Sequence, residues 1–310
     1  MAPRFAQLLK KVMSISIEDQ IEYCNRTIQV GAHVLVVTCA TLDAKVPRLR
    51  SKHREWTLKH GGHTIWNCTP SMSSYLVSSK IAEGQGVLEL GSGMGVSGLI
   101  AHRTGASLVV LTDGDETALP RLRENISNNV SLSGETKVDD AKMESDGGKN
   151  RPAHARHLRW GDSKVVHDLM QDLGTGEFDL VIGSDLIYQE DTKKQQALAL
   201  IDSKSRDLFL TASSALREGG SFVLAHEIRD DMEEVLATVS KHALSNGFGT
   251  PQLVRFEEGP DRIVLHLPYR GKDGRQEGKT DNSDAASQGW IELMSVLQAN
   301  GLGCPKKAPR

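Results

Sequence analysis

A glycine-rich turn is the strongest chemical signal in the sequence. The segment from Val87 to Gly98 reads VLELGSGMGVSG, in which an apolar run leads through closely spaced glycines into a helical pattern. Glycines allow a sharp turn and the approach of a ligand that a Cβ would block, and a helix N-terminus attracts a carboxylate or phosphate. The spacing Gly93-x-Gly95-x-x-Gly98 also satisfies the dinucleotide pattern GxGxxG, so the spacing alone does not choose the ligand. A turn without any ligand is the structural alternative.

An acidic side chain follows the next apolar run. Asp113 stands just after Leu108–Leu111, 20 positions beyond Gly93. A carboxylate at this place can accept hydrogen bonds from both hydroxyls of an adenosine ribose. The position therefore indicates an adenosine-containing ligand. Asp115 competes for this role, although it is equally suited to cap the helix that follows.

Trp160 and Asp162 follow a third predicted strand, His157–Arg159. An indole ring at a strand end can cover one face of an adenine, and the carboxylate of Asp162 could accept a hydrogen bond from its exocyclic amine. Packing of Trp160 in the core is the alternative.

A carboxylate and a phenol follow the fourth apolar run, Phe178–Ile182. Asp185 and Tyr188 stand at the carboxyl end of this predicted strand, where open α/β sheets bind their ligands. Side chains three residues apart can meet on one face if the chain coils there. A helix cap at Asp185 and a packing role for Tyr188 are the structural alternatives.

These residues need a scaffold of alternating strands and helices. Apolar runs predict strands at Val87–Leu90, Leu108–Leu111, His157–Arg159, Phe178–Ile182 and Ser221–Ala225. Helical spacing predicts helices at Pro70–Lys80, Val96–Arg103, Glu116–Val130, in a long region ending near Leu216, and at Asp230–Asn246. Strands separated by helices imply right-handed crossovers and a parallel sheet. The last two apolar runs flank a turn and predict an antiparallel hairpin of Leu253–Phe256 and Arg262–Leu267.

The sequence divides into three parts. Residues 1–60 form an N-terminal extension, with a helical pattern to about Cys24 and a strand at His33–Cys39. Residues 61–268 hold the motifs, and residues 269–310 are a flexible tail with a short helix, Trp290–Leu297. Residues 133–155 are polar and glycine-rich, which predicts a disordered surface insertion.

Composition narrows the function classes. The net charge of −3 argues against a nucleic-acid partner recruited by a basic field, and no apolar run approaches the roughly 18 residues of a membrane span. Four isolated cysteines without zinc spacing predict reduced thiols, no metal site and a cytoplasmic protein, with the nucleus as a second location. The acid-free first 17 residues favour an amphipathic helix over a mitochondrial presequence. Histidines such as His63 and His226 are expected at the surface or as caps.

The motifs together carry a family resemblance. The run GHTIW…ELGSGMGVSG…LTDGDETALPRLRENISNN…LRWGD…FDLVIGSDLIY resembles the family 16 seven-β-strand protein methyltransferases over about Gly62 to Leu267. Its most specific piece is D-x-x-Y, present as Asp185-Leu-Ile-Tyr188, and Glu89 gives the glycine turn the form E-x-G-x-G-x-G. The resemblance implies an α/β fold with a Rossmann-like seven-stranded class I sheet that ends in an antiparallel hairpin. It also implies S-adenosylmethionine as the cofactor.

The resemblance assigns roles residue by residue. It implies cofactor contacts by Glu89, Gly91, Gly93, Asp113, Trp160 and Ser184. Trp66 would border the methionine end of the cofactor, and Asp185 and Tyr188 would shape the acceptor entrance as the catalytic pair. Leu122–Asn125 matches the L-x-x-N element of the family, to which no role is assigned.

The sequence therefore predicts an S-adenosylmethionine-dependent N-methyltransferase. Most known members of the family modify lysine in non-histone proteins, so the expected partner is a protein substrate, with neither nucleic acid nor membrane, and nothing demands a dimer. An arginine or histidine protein methyltransferase and a small-molecule methyltransferase are the alternatives within this class. A non-catalytic S-adenosylmethionine-binding module is the alternative outside it. Glu89 and the terminal hairpin disfavour a dehydrogenase.

Overall fold

Strands and helices alternate through most of the part of the chain that the computed structural model describes, residues 22–41, 61–130, 151–187, 194–227, 232–254, 262–271 and 281–299. The strands are β1 (Glu22–Val30), β2 (His33–Thr41), β3 (Gly86–Leu90), β4 (Leu108–Asp113), β5 (Ala153–His157), β6 (Phe178–Ser184), β7 (Leu216–Glu227), β8 (Gln252–Val254) and β9 (Arg262–Pro268). The helices are α1 (Thr69–Ser79), α2 (Val96–Arg103), α3 (Leu119–Val130), α4 (Ser163–Asp172), α5 (Lys194–Ala215), α6 (Met232–Ser245) and α7 (Asp281–Ala299).

The main sheet has seven strands in the order β5-β4-β3-β6-β7-β9-β8. The five strands from β5 to β7 run parallel, whereas β9 is antiparallel to both β7 and β8. This arrangement confirms the predicted α/β sheet with its terminal antiparallel hairpin. The chain order reverses between β3 and β6, and a crevice forms at the carboxyl ends of the strands at such a switch point.

Alternating side chains fill a core on each face of the sheet. Val87 of β3 packs with α1, α2 and α3, whereas its neighbour Leu88 packs with α4, α5 and α6, because successive strand residues point to opposite faces. The same alternation separates Val109 from Val110 in β4. Both faces are covered, as expected of a parallel sheet, and the strand ends are therefore held rigidly.

The amino-terminal hairpin corrects one prediction. Residues from Glu22 onward form β1, an antiparallel partner of β2, so the helical pattern does not reach Cys24. The reason is that the burial of side chains alternates from one residue to the next, as it does in a strand. Val30 is buried and Ile28 half-buried, whereas Thr27 and Gln29 are exposed. The predicted strand at His33–Cys39 is confirmed as β2.

Several further boundaries differ from the prediction. Strand β7 begins at Leu216 and not at Ser221. The strand predicted at His157–Arg159 is β5, which begins at Ala153 and is hidden in the sequence because its buried residues are small alanines. Helix α3 begins at Leu119 and not at Glu116, since Pro120 lacks an N–H and favours the first helical turn. Helix α7 begins at Asp281, well before the predicted Trp290, and it buries residues at helical spacing, which are Ala286, Trp290, Leu293 and Leu297.

Several predictions fall on residues outside the described ranges. These include the helical pattern and presequence alternative in residues 1–17, residues 133–150 of the predicted insertion, and Tyr188. The predicted end of the insertion at residue 155 is wrong, because residues 153–155 belong to β5. Within the described ranges, no helix combines the length and the apolar character that crossing a bilayer requires.

Candidate active site

The turn after β3 brings the backbone itself to the surface of a cavity. Gly91, Gly93 and Gly95 all have positive φ angles, of 61°, 52° and 82°. An ideal Cβ on Gly91 would lie 2.6 Å from Leu186 Cδ2 and 3.4 Å from Trp160 Cζ2. Glycine is therefore required at position 91 both by its backbone conformation and by close packing.

Glu89 is a buried carboxyl group directly beneath this turn. Only 3% of the residue is exposed, and its Oε2 accepts a hydrogen bond from the Gly98 N–H at 3.1 Å. Burial raises the pKa of Glu89 to about 8, against the hydrogen bonds that lower it. Glu89 thus joins the end of β3 to the first turn of α2.

Asp113 lies at the end of β4, beside the glycine turn. Its Oδ2 accepts from the Gly93 N–H at 2.8 Å and its Oδ1 from the Asp115 N–H at 2.9 Å, while burial raises the pKa of this carboxyl group. Each oxygen keeps a second lone pair, so the carboxylate can still accept from a ligand hydroxyl. Gly62 covers it, with an ideal Cβ 3.6 Å from both oxygens.

The competing acidic residues have structural roles. Asp115 Oδ1 accepts from both the N–H and the hydroxyl of Thr117, so Asp115 stabilises the turn before α3. Asp162 is the N-cap of α4 and accepts from the Lys164 N–H at 2.8 Å. Its carboxylate is exposed and used as a helix cap, which argues against the predicted contact with an adenine amine. Trp160 is half-buried beside Gly91.

Asp185 follows β6 in a left-handed backbone conformation. Its φ is 56°, and its N–H donates to the Ala225 carbonyl at 2.9 Å. The side chain is fully buried, with Oδ1 3.8 Å from Nδ1 of His226. His226, expected at the surface or as a cap, is itself only 4% exposed. The carboxyl ends of β6 and β7 therefore place a carboxylate and an imidazole side by side.

The segment before α1 forms the opposite wall. Trp66 is half-buried, and its carbonyl accepts from the Thr69 N–H at the start of α1. The next side chain, Asn67, donates to the Glu227 carboxylate at 3.3 and 3.4 Å. The loop is thereby fixed to the end of β7.

These walls line an open cavity, and the empty space between them, open solvent included, is about 320 Å³. Five residues predicted for the site line it, namely Trp66, Glu89, Gly91, Gly93 and Ser184. The other lining residues had no predicted site role, and they are Thr64, Ile65, Thr69, Ser92, Met94, Gly95, Val96 and Ser97. Most of these residues belong to the segments GHTIW and GSGMGVSG. Their position within these motifs was the one signal in the sequence that could have indicated a place in the cavity wall. Among the described residues, no group of three or more His, Cys, Asp or Glu side chains could hold a metal ion.

Comparison with known proteins decides the family. A family model described as lysine methyltransferase matches residues 48–219, which is more than half of the chain. The chain belongs to this lysine methyltransferase family. Its members use S-adenosylmethionine.

Three curated relatives illustrate the range of proteins that the chain resembles. The protein N-terminal and lysine N-methyltransferase EFM7 of Cryptococcus neoformans is 35% identical over 186 residues, covering 56% of this chain and 53% of the relative. The protein N-lysine methyltransferase METTL21A of Danio rerio is 25% identical, covering 53% and 65%. The histidine protein methyltransferase 1 homolog of Mus musculus is 28% identical over 266 residues, covering 77% and 67%. The chain thus spans about half the length of the Cryptococcus relative.

The lining of the cavity fits the cofactor of the family. Gly91, Gly93 and Gly95 of the turn line the cavity. Asp113 accepts from the Gly93 N–H and lies beside the turn, although it is not itself a lining residue. Ser184 Oγ is buried and has no hydrogen-bond partner among the described residues, so it can bond a ligand in the cavity.

Proposed function

We propose that this protein is an S-adenosylmethionine-dependent N-methyltransferase that methylates a lysine side chain of a non-histone protein. The observation that carries the proposal is the cavity at the switch point, bounded by the family's glycine turn on one side and by Ser184 and Trp66 on the other. Family membership and the names of two relatives support a lysine acceptor.

In this proposal the cofactor is held at the ends of β3, β4 and β6. The holding residues are Glu89, Gly91, Gly93, Asp113, Trp160 and Ser184. By the family resemblance, Trp66 borders the methionine end of the cofactor, and in the structure it lines the cavity. When bound, the cofactor supplies a methyl group on an activated sulfonium. The protein therefore has to orient the acceptor, and orientation alone can contribute several kcal/mol.

A lysine acceptor must also lose a proton. With a pKa of about 10.4, only about one side chain in a thousand is neutral near pH 7.4, which corresponds to about 4 kcal/mol. Asp185 is the proposed catalytic residue that orients the amine or receives its proton through water. The place of Asp185 supports this role, because it directly follows Ser184, which lines the cavity at the end of β6. Its buried carboxylate lies 3.8 Å from the imidazole of His226. Tyr188, the proposed second member of the pair, lies outside the described residues, and Trp66 could contact a methylated ammonium by a cation–π interaction.

The test is a labelling experiment. The purified protein is incubated with methyl-labelled S-adenosylmethionine and a cell extract, beside Asp185→Asn, which keeps the shape of the side chain and tolerates positive φ. Asp172→Asn, at an exposed position at the end of α4, is the matched control. We expect a discrete labelled protein with the wild type and the control, and its loss with Asp185→Asn at unchanged S-adenosylhomocysteine affinity. Mass spectrometry of the labelled protein then identifies the residue.

Other results of the labelling experiment would support a different function. A labelled histidine would favour the second candidate, a histidine protein methyltransferase, which is supported by the mouse relative because the match covers two-thirds of its length. Cofactor binding without any labelled protein would overturn the proposal in favour of a small-molecule acceptor or a non-catalytic binder. A cytoplasmic location is also a proposal, and imaging of the endogenous protein beside nuclear and mitochondrial markers tests it.

A further inference from the structure

The L-x-x-N element of α3 lies between the glycine turn and the amino-terminal hairpin. Its two defining side chains, Leu122 and Asn125, have no exposed surface. A leucine in the core is ordinary, but a buried asparagine amide requires partners for all of its polar atoms. The partners of Asn125 show what the element holds together.

Two asparagines of α3 pair with the edge of β2. Asn125 Oδ1 accepts from the Thr38 N–H at 2.8 Å, and Nδ2 donates to the Thr38 carbonyl at 3.1 Å. Asn129 makes the same two bonds with Val36, at 2.9 and 2.8 Å. Four residues of helix rise about 6.0 Å and two residues of strand about 6.6 Å, so the two spacings match. The amides therefore cover the open edge of β2 as a neighbouring strand would.

Asn125 makes one bond that Asn129 does not. Its Nδ2 also donates to the carbonyl of Met94 at 3.0 Å, and Met94 lines the cavity within the glycine turn. Leu122 packs closely against Gly95, the residue after Met94. An ideal Cβ on Gly95 would lie only 2.5 Å from Leu122 Cδ1. The remaining bond of Asn129 goes to the Asn125 carbonyl at 2.7 Å, away from the turn.

We propose that Asn125 is a positioning residue of the cofactor site. Its amide fixes the carbonyl of Met94 and so the course of the glycine turn, and its bonds to Thr38 make the amino-terminal hairpin part of the same support. The inference rests on the proposed binding of S-adenosylmethionine at that turn. Without the amide, the buried Met94 carbonyl loses its donor, and the turn loses its link to α3 and β2.

The experiment compares Asn125→Ala with Asn129→Ala in the full chain. Both changes remove a buried amide and its two bonds to β2, so both should lower the melting temperature. Only Asn125→Ala also removes the bond to Met94. We expect its dissociation constant for S-adenosylhomocysteine, measured by calorimetry well below both melting temperatures, to rise about tenfold, as for a buried hydrogen bond lost. The constant for Asn129→Ala should stay within about twofold of the wild type.

A second readout needs no cofactor. Amide hydrogen exchange of residues 92–97 in the ligand-free protein should be faster in Asn125→Ala than in Asn129→Ala. If the alanine variants do not fold, the isosteric pair Asn125→Asp and Asn129→Asp replaces them, since aspartate keeps the acceptor oxygen and removes the donors. Equal affinities for the two variants, or equal exchange in the turn, would overturn the inference. A wild type that binds no S-adenosylhomocysteine would refute the proposed function, and hydrogen exchange would still decide whether Asn125 holds the turn.

Discussion

Glu89 makes the stability of the protein depend on pH in an unusual direction. Burial raises its pKa from the usual 4.5 to about 8. The folded protein therefore holds this proton more tightly than the unfolded chain does. The contribution of Glu89 to the free energy of unfolding is complete below about pH 4.5 and is lost as the pH rises through about 8. At about 1.4 kcal/mol per pKa unit, the loss between pH 5 and pH 8 is about 3 to 4 kcal/mol.

Glu89→Gln should remove this dependence. Glutamine keeps the shape and an oxygen that accepts from the Gly98 N–H, but it does not titrate. We expect the wild type to lose stability relative to Glu89→Gln by about 3 to 4 kcal/mol from pH 5 to pH 8, measured by urea unfolding at each pH. The variant Glu83→Gln, at an exposed position before β3, controls for the loss of a charge. Parallel curves for the wild type and Glu89→Gln over pH 5 to 9 would refute the reasoning.

Two further substitutions test other parts of the fold. Gly91→Ala and Gly174→Ala both place a side chain at positive φ, which costs about 1–2 kcal/mol, but only position 91 has atoms within 4 Å of the new Cβ. Gly91→Ala should therefore be less stable by a further ~1–3 kcal/mol and bind S-adenosylhomocysteine more weakly, and equal losses of unfolding free energy would contradict the packing argument. A hydrogen bond from Lys241, and to a smaller extent one from His242, holds the pKa of Asp202 below its usual 3.8. Asp202→Asn should therefore lower the free energy of unfolding by ~0.2–1 kcal/mol at pH 7. That difference should vanish in thermal melts as the pH falls below 3.8, and a constant difference would show that the ion pairs do not cause it.

The sequence predicted the local elements that position the candidate site. The buried strand before Gly91, the carboxylate at Asp113 and the strand that ends at Ser184 all follow from apolar runs and the residues after them. The antiparallel end of the sheet was also predicted correctly, because a turn between two apolar runs is a local signal. Patterns of this kind can be recognised from residues that are neighbours in the sequence.

The parts that were missed depend on distant contacts. Strand β5 has alanines as its buried residues, so its identity comes from pairing with β4 and not from hydrophobicity. Asp162 and Asp113 look alike in the sequence, and only the structure shows that Asp162 caps α4 whereas Asp113 accepts from the glycine turn. The role of Asn125 could not be predicted, since its partners Thr38 and Met94 lie 87 and 31 residues away.

That distance also has a consequence for synthesis on the ribosome. The hairpin of β1 and β2 leaves the ribosome 87 residues before Asn125, which at about 5–20 residues per second is a delay of about 4 to 17 s. An isolated two-stranded hairpin is marginally stable in water, and during this time the outer edge of β2 has no asparagine amides to pair with. The glycine turn, although complete much earlier, gains its support only when α3 emerges. The amino-terminal hairpin is therefore synthesised before the helix that pairs with its edge. Until α3 emerges, the nascent chain has to keep the open edge of β2 from pairing with other strands.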